Sequence, residues 1–113
     1  MAIKFGNPYW SNKIRISILQ RWILVHSYIY YEMDESIVPD KVFDSTAKQL
    51  VQMQYDFPED AEESDYGYVF GDFDGSTGFD LFYRLKKRDK ERIVQIACYV
   101  LKQSKTQKAK GRG

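Results

Sequence analysis

Apolar residues recur every three or four positions over residues 14–33, which is the spacing of one face of an α-helix. The stripe consists of Ile14, Ile18, Trp22, Val25 or His26, Ile29 and Met33. Ser11 or Asn12 stands just before the stripe and can cap its first turn, because a short polar side chain accepts the free backbone N–H groups there. The pattern predicts a long helix with one buried face.

A second stripe begins after Glu35-Ser36-Ile37-Val38 breaks the first period. Pro39 favours a helix start at this point, because the first turn of a helix leaves its N–H groups unused and proline has none. The second stripe contains Val42, Phe43, Ala47, Leu50 and Val51, with Gln54 as an optional last member. Two such helices with a short connection predict an antiparallel helical hairpin over residues 11–54.

Phe57-Pro58 is expected to end the hairpin. Residues 56–65 are predicted to form an acidic loop. Residues 66–73 alternate weakly between apolar and polar positions and leave open a short β segment, although their two glycines disfavour a strand. Asp74-Gly75-Ser76-Thr77-Gly78 has the composition of a turn.

Helices are predicted again over residues 77–103. Phe79, Phe82 and Leu85 fit a short amphipathic helix, and Asp89 is expected to cap the last one. That helix should pack four apolar residues on the hairpin and leave four cations in solvent: Ile93, Ile96, Ala97 and Val100, and Lys86, Lys87, Lys90 and Arg92. Residues 104–113 hold no apolar residue larger than Ala and are predicted to be a disordered basic tail. The predicted fold is mainly α, with one domain over residues 1–103.

Composition agrees with one small globular domain. The chain has 113 residues, 43% hydrophobic and 29% charged. Cys98 is the single cysteine, which excludes an internal disulfide and a cysteine-rich zinc site and indicates a reducing compartment; its helical, apolar context predicts a core position. No apolar run is long enough for a membrane span, and no signal peptide is recognisable. We therefore expect a cytoplasmic protein with no membrane partner.

Charge is strongly segregated behind a net charge of +1. Residues 56–65 carry six acidic side chains and no basic one. From Arg84 to the end of the sequence there are eleven Lys or Arg residues, and the only acidic residues are Asp89 and Glu91. A basic cluster within this region is a candidate contact for nucleic acid or another partner: Arg84, Lys86, Lys87, Arg88, Lys90 and Arg92. An ordinary solvated acidic loop and basic helix would give the same pattern, so both interpretations stay open.

Candidate binding chemistry lies where the two hairpin helices meet. Tyr30 and Tyr31 come near the end of the first helix. Asp40, Phe43 and Asp44 come at the start of the second, and their spacing of three and four places them on one face. Aromatic faces attract a flat cationic ring, and carboxylates accept hydrogen bonds from hydroxyl groups. The alternative is structural, with core tyrosines and carboxylates stabilised by the helix dipole.

The run His26–Asp34, followed by Pro39–Asp44, resembles the N-terminal Ia domain of NAD-dependent DNA ligases. The resemblance covers roughly residues 20–54. In that family a helical hairpin carries a Tyr-Tyr or Tyr-His pair, an Asp and a Tyr-Asp pair, which hold the nicotinamide mononucleotide half of NAD.

The resemblance implies that Tyr30 and Tyr31 are the aromatic pair and that Asp40 and Asp44 are the two acids. Phe43 stands where the family has tyrosine, so the ring is kept and a hydroxyl is lost. One lost hydrogen bond costs about 1 kcal/mol, which implies weakened rather than abolished binding of nicotinamide mononucleotide or NAD.

Ligase chemistry is not expected of this chain by itself. The family's adenylation domain uses the lysine of a Lys-x-Asp-Gly motif, and the nearest sequence here is Asp72-Phe73-Asp74-Gly75. A carboxylate in the lysine position cannot form the phosphoramidate. Asp72, Asp74 and Asp80 lack the spacing of a calcium loop, and His26 has no recognisable nucleophile partner. We therefore expect a non-enzymatic protein that requires no cofactor and no metal.

Two functions remain as hypotheses. The first is a small accessory or interaction protein on a ligase Ia-like scaffold that binds a nicotinamide nucleotide weakly. The second is an inhibitor of a host defence nuclease, of anti-CRISPR or anti-restriction type, that contacts an unidentified protein or nucleoprotein complex. The small, stand-alone and charge-segregated chain is typical of bacteriophage or mobile-element products, which would place it in the host cytoplasm. A third reading, an NAD-consuming enzyme, is disfavoured because no nucleophile can be named.

Overall fold

The computed structural model describes residues 5–76 and 80–110, with side chains described as far as residue 105. These residues form α1 (Asn12–Tyr31), α2 (Asp40–Asp56), α3 (Pro58–Glu63), α4 (Gly67–Phe70), a 3₁₀ turn (Phe82–Arg84) and α5 (Lys87–Lys110). The predicted mainly α fold is confirmed. No helix within the described ranges has the length and apolarity needed to cross a bilayer.

Helix α1 is the centre of the fold, because α2, α3 and α5 all pack against it. Its most deeply buried apolar residues are Ile16, Leu19, Ile23 and Leu24. The single predicted stripe is therefore partly wrong: Ile14 is 44% exposed, and Ile18 and Trp22 are only half-buried. Because α1 is covered on several sides, it buries a wider part of its circumference than one apolar stripe occupies.

The turn between α1 and α2 depends on Asp34 and Pro39. The N–H of Met33 donates to the carbonyl of Tyr28, and Asp34 then adopts a left-handed conformation with φ of 53°. Aspartate tolerates this conformation better than most residues. The carbonyl of Pro39 accepts the N–H of Phe43 and opens α2. The predicted helical hairpin is thereby confirmed.

Two predictions for residues 56–73 are wrong. The expected acidic loop contains α3, and the optional β segment contains α4. Pro58 at the first position and Glu59 in the first turn both favour a helix start. A Cβ on Gly67 would lie 2.5 Å from the carbonyl oxygen of Ala61. Glycine at this position therefore permits the close approach of α4 to the end of α3.

A buried amide on α1 fixes this segment in place. Gln20, with no exposed surface, donates to the Ser64 hydroxyl at 2.8 Å and to Oε1 of Gln54 at 3.1 Å. Its Oε1 accepts the backbone N–H of Tyr66 at 3.1 Å. One turn earlier on the helix, the Ser17 hydroxyl accepts the N–H of Asp65 at 3.0 Å. These bonds join α1, α2 and the α3–α4 connection.

Helix α5 differs from prediction in three respects. Ile93 and Ala97 are fully buried as expected, but Cys98 is exposed because it follows the buried position by one residue and turns away from the core. Asp89 lies in the first turn of α5 rather than at its cap. The helix also continues to Lys110, through most of the predicted disordered tail, as the helix propensity of Lys, Gln and Ala favours. Residues 111–113 lie outside the described range.

Replacement of Ile93 by Ala should lower the free energy of unfolding by about 2–5 kcal/mol, because it leaves a cavity in a fully buried site. Ile96→Ala is the matched control, since Ile96 is only half-buried and should cost about 1 kcal/mol. Urea unfolding followed by circular dichroism gives both values. Equal losses at the two positions would contradict the observed burial.

Gln20→Leu keeps much of the side-chain volume but leaves the Tyr66 N–H buried without its partner. We expect a loss of about 2–3 kcal/mol in the free energy of unfolding. Gln52→Leu is the control, because Gln52 bonds Asp56 on the exposed face of α2 and should change stability by less than about 0.5 kcal/mol. If the Gln20→Leu protein were as stable as the Gln52→Leu control, the buried hydrogen bonds of Gln20 would make no net contribution to the free energy of unfolding.

Candidate nucleotide-binding site

A cavity of about 230 Å³ lies between the end of α1, the connecting loop and the start of α2. The five residues predicted from sequence all line it: Tyr30, Tyr31, Asp40, Phe43 and Asp44. The helical hairpin brings them together as expected, whereas the role of each residue stays a prediction. The other residues around the cavity are His26, Ser27, Ile29, Glu35, Ser36, Ile37, Val38 and Ser76.

The aromatic rings provide accessible faces and edges. Tyr30 is 52% exposed and Tyr31 is 42% exposed, and their rings meet edge to face with centroids 4.9 Å apart. The tyrosines are therefore not the core residues of the structural alternative. Phe43 is half-buried, with its centroid 5.9 Å from that of Trp22. The site thus joins a fixed apolar wall to two exposed rings on which a flat ligand can stack.

The charge of the cavity wall is negative. Asp40 and Asp44 are exposed at the start of α2, and neither makes an ion pair with any described residue. Glu35 also lines the cavity and pairs with Lys105 at 3.2 Å. No lysine or arginine is among the lining residues. This arrangement favours a cationic group over an anionic one.

His26 contributes a neutral polar ring to the cavity. Its ring centroid is 4.3 Å from that of Trp22, and burial lowers the pKa of His26 to about 4. Nδ1 of His26 and the hydroxyl oxygen of Ser27 are buried without a hydrogen-bond partner among the described residues. Two buried polar atoms beside the rings are therefore unsatisfied within the described residues.

Ser76 is a lining residue that sequence reasoning missed. The carboxylate of Asp74 accepts both the N–H and the hydroxyl of Ser76, at 2.9 and 2.6 Å, and these bonds lower the pKa of Asp74. Gly75 has φ of 85°, and a Cβ there would stand 3.4 Å from Val51 of α2. The predicted Asp-Gly turn is present, but only its packing on α2 carries Ser76 to the cavity.

Contacts from the C-terminal half hold the loop beside the cavity. The hydroxyl of Tyr83 donates to the carboxylate of Glu32, which raises the pKa of Tyr83. The ion pair between Lys105 and Glu35 is a second contact three residues along the loop. The 3₁₀ turn and α5 therefore both reach the connection between α1 and α2.

The structure divides the predicted basic cluster. Arg84 pairs with Asp72 at 2.7 Å and with Asp80 at 2.8 Å, and the hydrogen bond from Arg84 lowers the pKa of Asp72. Lys86 lies over the Tyr68 ring, and half-buried Lys90 lies over Phe82. The prediction that Lys90 stays fully in solvent is therefore wrong.

The other members of the cluster are exposed: Lys87, Arg88 and Arg92. Of the three acids considered for a calcium loop, Asp72 and Asp80 pair with Arg84, and Asp74 accepts hydrogen bonds from Ser76. Within the described residues, no group of His, Cys, Asp and Glu side chains is placed to hold a metal ion.

Residues 11–64 match the family described as the DNA ligase-like, N-terminal NAD+-binding domain. The matched region contains α1, α2 and α3, and all five predicted cofactor-binding residues lie within it. The chain is therefore similar to this domain over the hairpin and the acidic helix. No curated protein and no solved structure gives a significant match.

The lowered pKa of His26 predicts a pH-dependent stability. Because the pKa is about 4 in the folded chain and 6.5 ordinarily, the unfolded state takes up a proton first as the pH falls. The contribution of His26 to the free energy of unfolding is complete above about pH 6.5 and disappears between there and about pH 4, with a size on the order of 3 kcal/mol.

Urea unfolding of wild type and His26→Gln across this pH range isolates the effect, because the carboxylates titrate in both proteins. The difference between the two free energies of unfolding should change by the stated amount. Parallel profiles would show that the folded histidine titrates normally.

Proposed function

We propose that this chain binds the nicotinamide mononucleotide half of NAD in the cavity between α1 and α2, and that it acts as a non-enzymatic accessory or interaction protein. One observation carries the proposal: five residues chosen from sequence line a single cavity within the region similar to an NAD+-binding domain. The resemblance supplies the ligand, and the geometry supplies a site of suitable chemistry.

The chemistry of the ligand matches the cavity wall in two parts. The nicotinamide ring is flat and cationic, so it stacks on Tyr30 or Tyr31 and is attracted by the carboxylates of Asp40 and Asp44. The ribose hydroxyls donate to the same carboxylates. The phosphate has no lysine or arginine among the lining residues and therefore stays in solvent at the mouth of the cavity.

Binding is proposed to be weak. The cavity is smaller than the roughly 300–1,000 Å³ that is usual for ligand sites, and Phe43 lacks the hydroxyl of the family's tyrosine. A dissociation constant around or above ~1 mM corresponds to a binding free energy of about −4 kcal/mol. No cysteine or lysine lines the cavity as a nucleophile, which supports a binding rather than a catalytic role.

Titration of nicotinamide mononucleotide into the ¹⁵N-labelled chain should shift amide resonances of the cavity residues only. Asp44→Ala should abolish these shifts, because it removes one of the two unpaired acids. Asp56→Ala is the matched control, since Asp56 lies at the other end of α2 and does not line the cavity. Absence of any shift in the wild type at ~10 mM, about ten times the expected constant, would exclude the site.

Nicotinamide riboside and neutral nicotinamide distinguish the parts of the ligand. The riboside keeps the cationic ring and lacks the phosphate, so it should bind within about threefold of the mononucleotide. Nicotinamide lacks the charge and should bind more weakly. A mononucleotide preference of tenfold or more would contradict the placement of the phosphate in solvent.

An alternative proposal is inhibition of a host defence nuclease by protein–protein contact. It is favoured by the exposed acidic side of α3, where Glu59, Glu62 and Glu63 stand beside exposed Phe57 and Tyr55. Carboxylates arranged along a helix can occupy a groove that normally takes phosphates. If the nucleotide titration shows no shift, the helical hairpin is a reused scaffold and this function replaces the first.

A further inference from the structure

A second concave surface lies on the other side of α1, where the first turns of α5 pass. This groove, of about 710 Å³, is open to solvent. Arg21 of α1 lines one side, and Arg88, Glu91 and Arg92 of α5 line the other. Nothing in the nucleotide proposal uses these residues.

The three arginines of the groove are exposed and have no ion-pair partner among the described residues. Arg84, in the same basic segment, is instead engaged by Asp72 and Asp80. An unpaired guanidinium keeps its five donors for an external acceptor. The groove arginines are thus the available cations, and Arg84 is not.

Two carboxylates line the groove beside the arginines, Asp89 and Glu91. Asp89 accepts a hydrogen bond from the hydroxyl of Tyr68 at 2.6 Å. Burial of the phenol, and to a smaller extent this hydrogen bond, raise the pKa of Tyr68 to about 12. The phenol therefore remains a donor to Asp89 at neutral pH. Asp89 keeps its negative charge while it accepts this bond, so Asp89 and Glu91 together oppose three guanidinium groups and the groove carries a formal net charge of +1.

The cations converge from two helices. Burial raises the pKa of Tyr66 and the charge of Asp89 adds to the rise, whereas Arg92 and Arg21 oppose it, so guanidinium groups from both helices act on one buried phenol. Arg88 and Arg92 are four residues apart, which places them on the same face with a rise of about 6 Å. A planar guanidinium matches two phosphate oxygens at once.

We propose that the groove lined by Arg21, Arg88 and Arg92 docks on the phosphate backbone of a nucleic acid. The groove is open and its arginines are distributed along and across it, which suits a chain of phosphates better than one enclosed anion. Its remaining surface is Gln95 and half-buried Ile96, with no aromatic ring on which a base could stack. The contact is therefore independent of sequence.

The groove and the nucleotide cavity can be occupied together. Arg21 precedes Tyr30 by nine residues, which is about 14 Å along α1. The proposal therefore does not depend on nucleotide binding, and either can fail alone.

Fluorescence anisotropy with a labelled DNA duplex of about 20 bp tests the contact on the full chain. Three phosphate contacts predict a log–log salt slope near −2.7 and a loss of affinity of about 40-fold between ~50 and ~200 mM salt. Arg21→Gln, Arg88→Gln and Arg92→Gln should each reduce the slope by about 1 and the affinity at ~50 mM salt by roughly tenfold.

Two matched variants make the test specific to the groove. Glu91→Gln removes one of the two opposing acids and should tighten binding several-fold. Lys48→Gln removes one exposed cation from α2, outside the groove, and should leave the affinity within about twofold. Equal weakening by Lys48→Gln and Arg92→Gln would overturn the proposal in favour of general surface charge.

Two competitors distinguish other anions. Two results together would overturn the nucleic-acid assignment in favour of free phosphate as the ligand: binding of inorganic phosphate to the groove at millimolar concentration, and failure of the chain to bind the duplex at ~50 mM salt. Poly-glutamate that displaces the duplex at equal charge concentration would overturn it in favour of an acidic protein. Displacement by unlabelled duplex alone supports the proposal.

Discussion

The position of the chain between α2 and the C-terminal half depends on the buried side chain of Gln20. Apolar packing is non-directional, so it draws α3 and α4 towards α1 without fixing their rotation or register. The Gln20 amide removes that freedom, because it accepts from the Tyr66 N–H and donates to Ser64 and Gln54. Gln54 in turn donates to the carbonyl of Phe70, where the chain leaves α4 towards the cavity. Hydrogen bonds from one buried residue thus fix the positions of α2, α3 and α4 relative to α1.

The helical hairpin and its five candidate residues could be predicted because their signals are local. Asp40, Phe43 and Asp44 share a face through their spacing alone, and a short connection brings Tyr30 and Tyr31 alongside them. The buried arc of α1 could not be predicted, since it depends on which helices arrive from distant parts of the chain. Ser76 was missed for the same reason. The acidic segment was misread because charge content describes solvation, whereas Pro58 and Gly67 determine its backbone.

Charge patterning gave the region of the basic surface but not its composition. Six cations in nine residues look equivalent in a sequence, yet the structure engages Arg84 with carboxylates and places Lys86 and Lys90 over aromatic rings. Arg21 joins the remaining cations from a helix more than sixty residues earlier, and no local pattern indicates it. Which of these cations is free to bind an external anion therefore depends on the tertiary structure.

The two contacts from the C-terminal half to the α1–α2 loop have a consequence for ligand affinity. Glu32 is held by Tyr83 and Glu35 by Lys105, at either side of the left-handed Asp34. Contacts at both sides restrict the conformations of this loop, so less of the free energy of the proposed nucleotide binding would be spent on ordering it. The C-terminal half therefore restrains one wall of the candidate cavity, although none of the aromatic or acidic residues described as lining that cavity comes from this half.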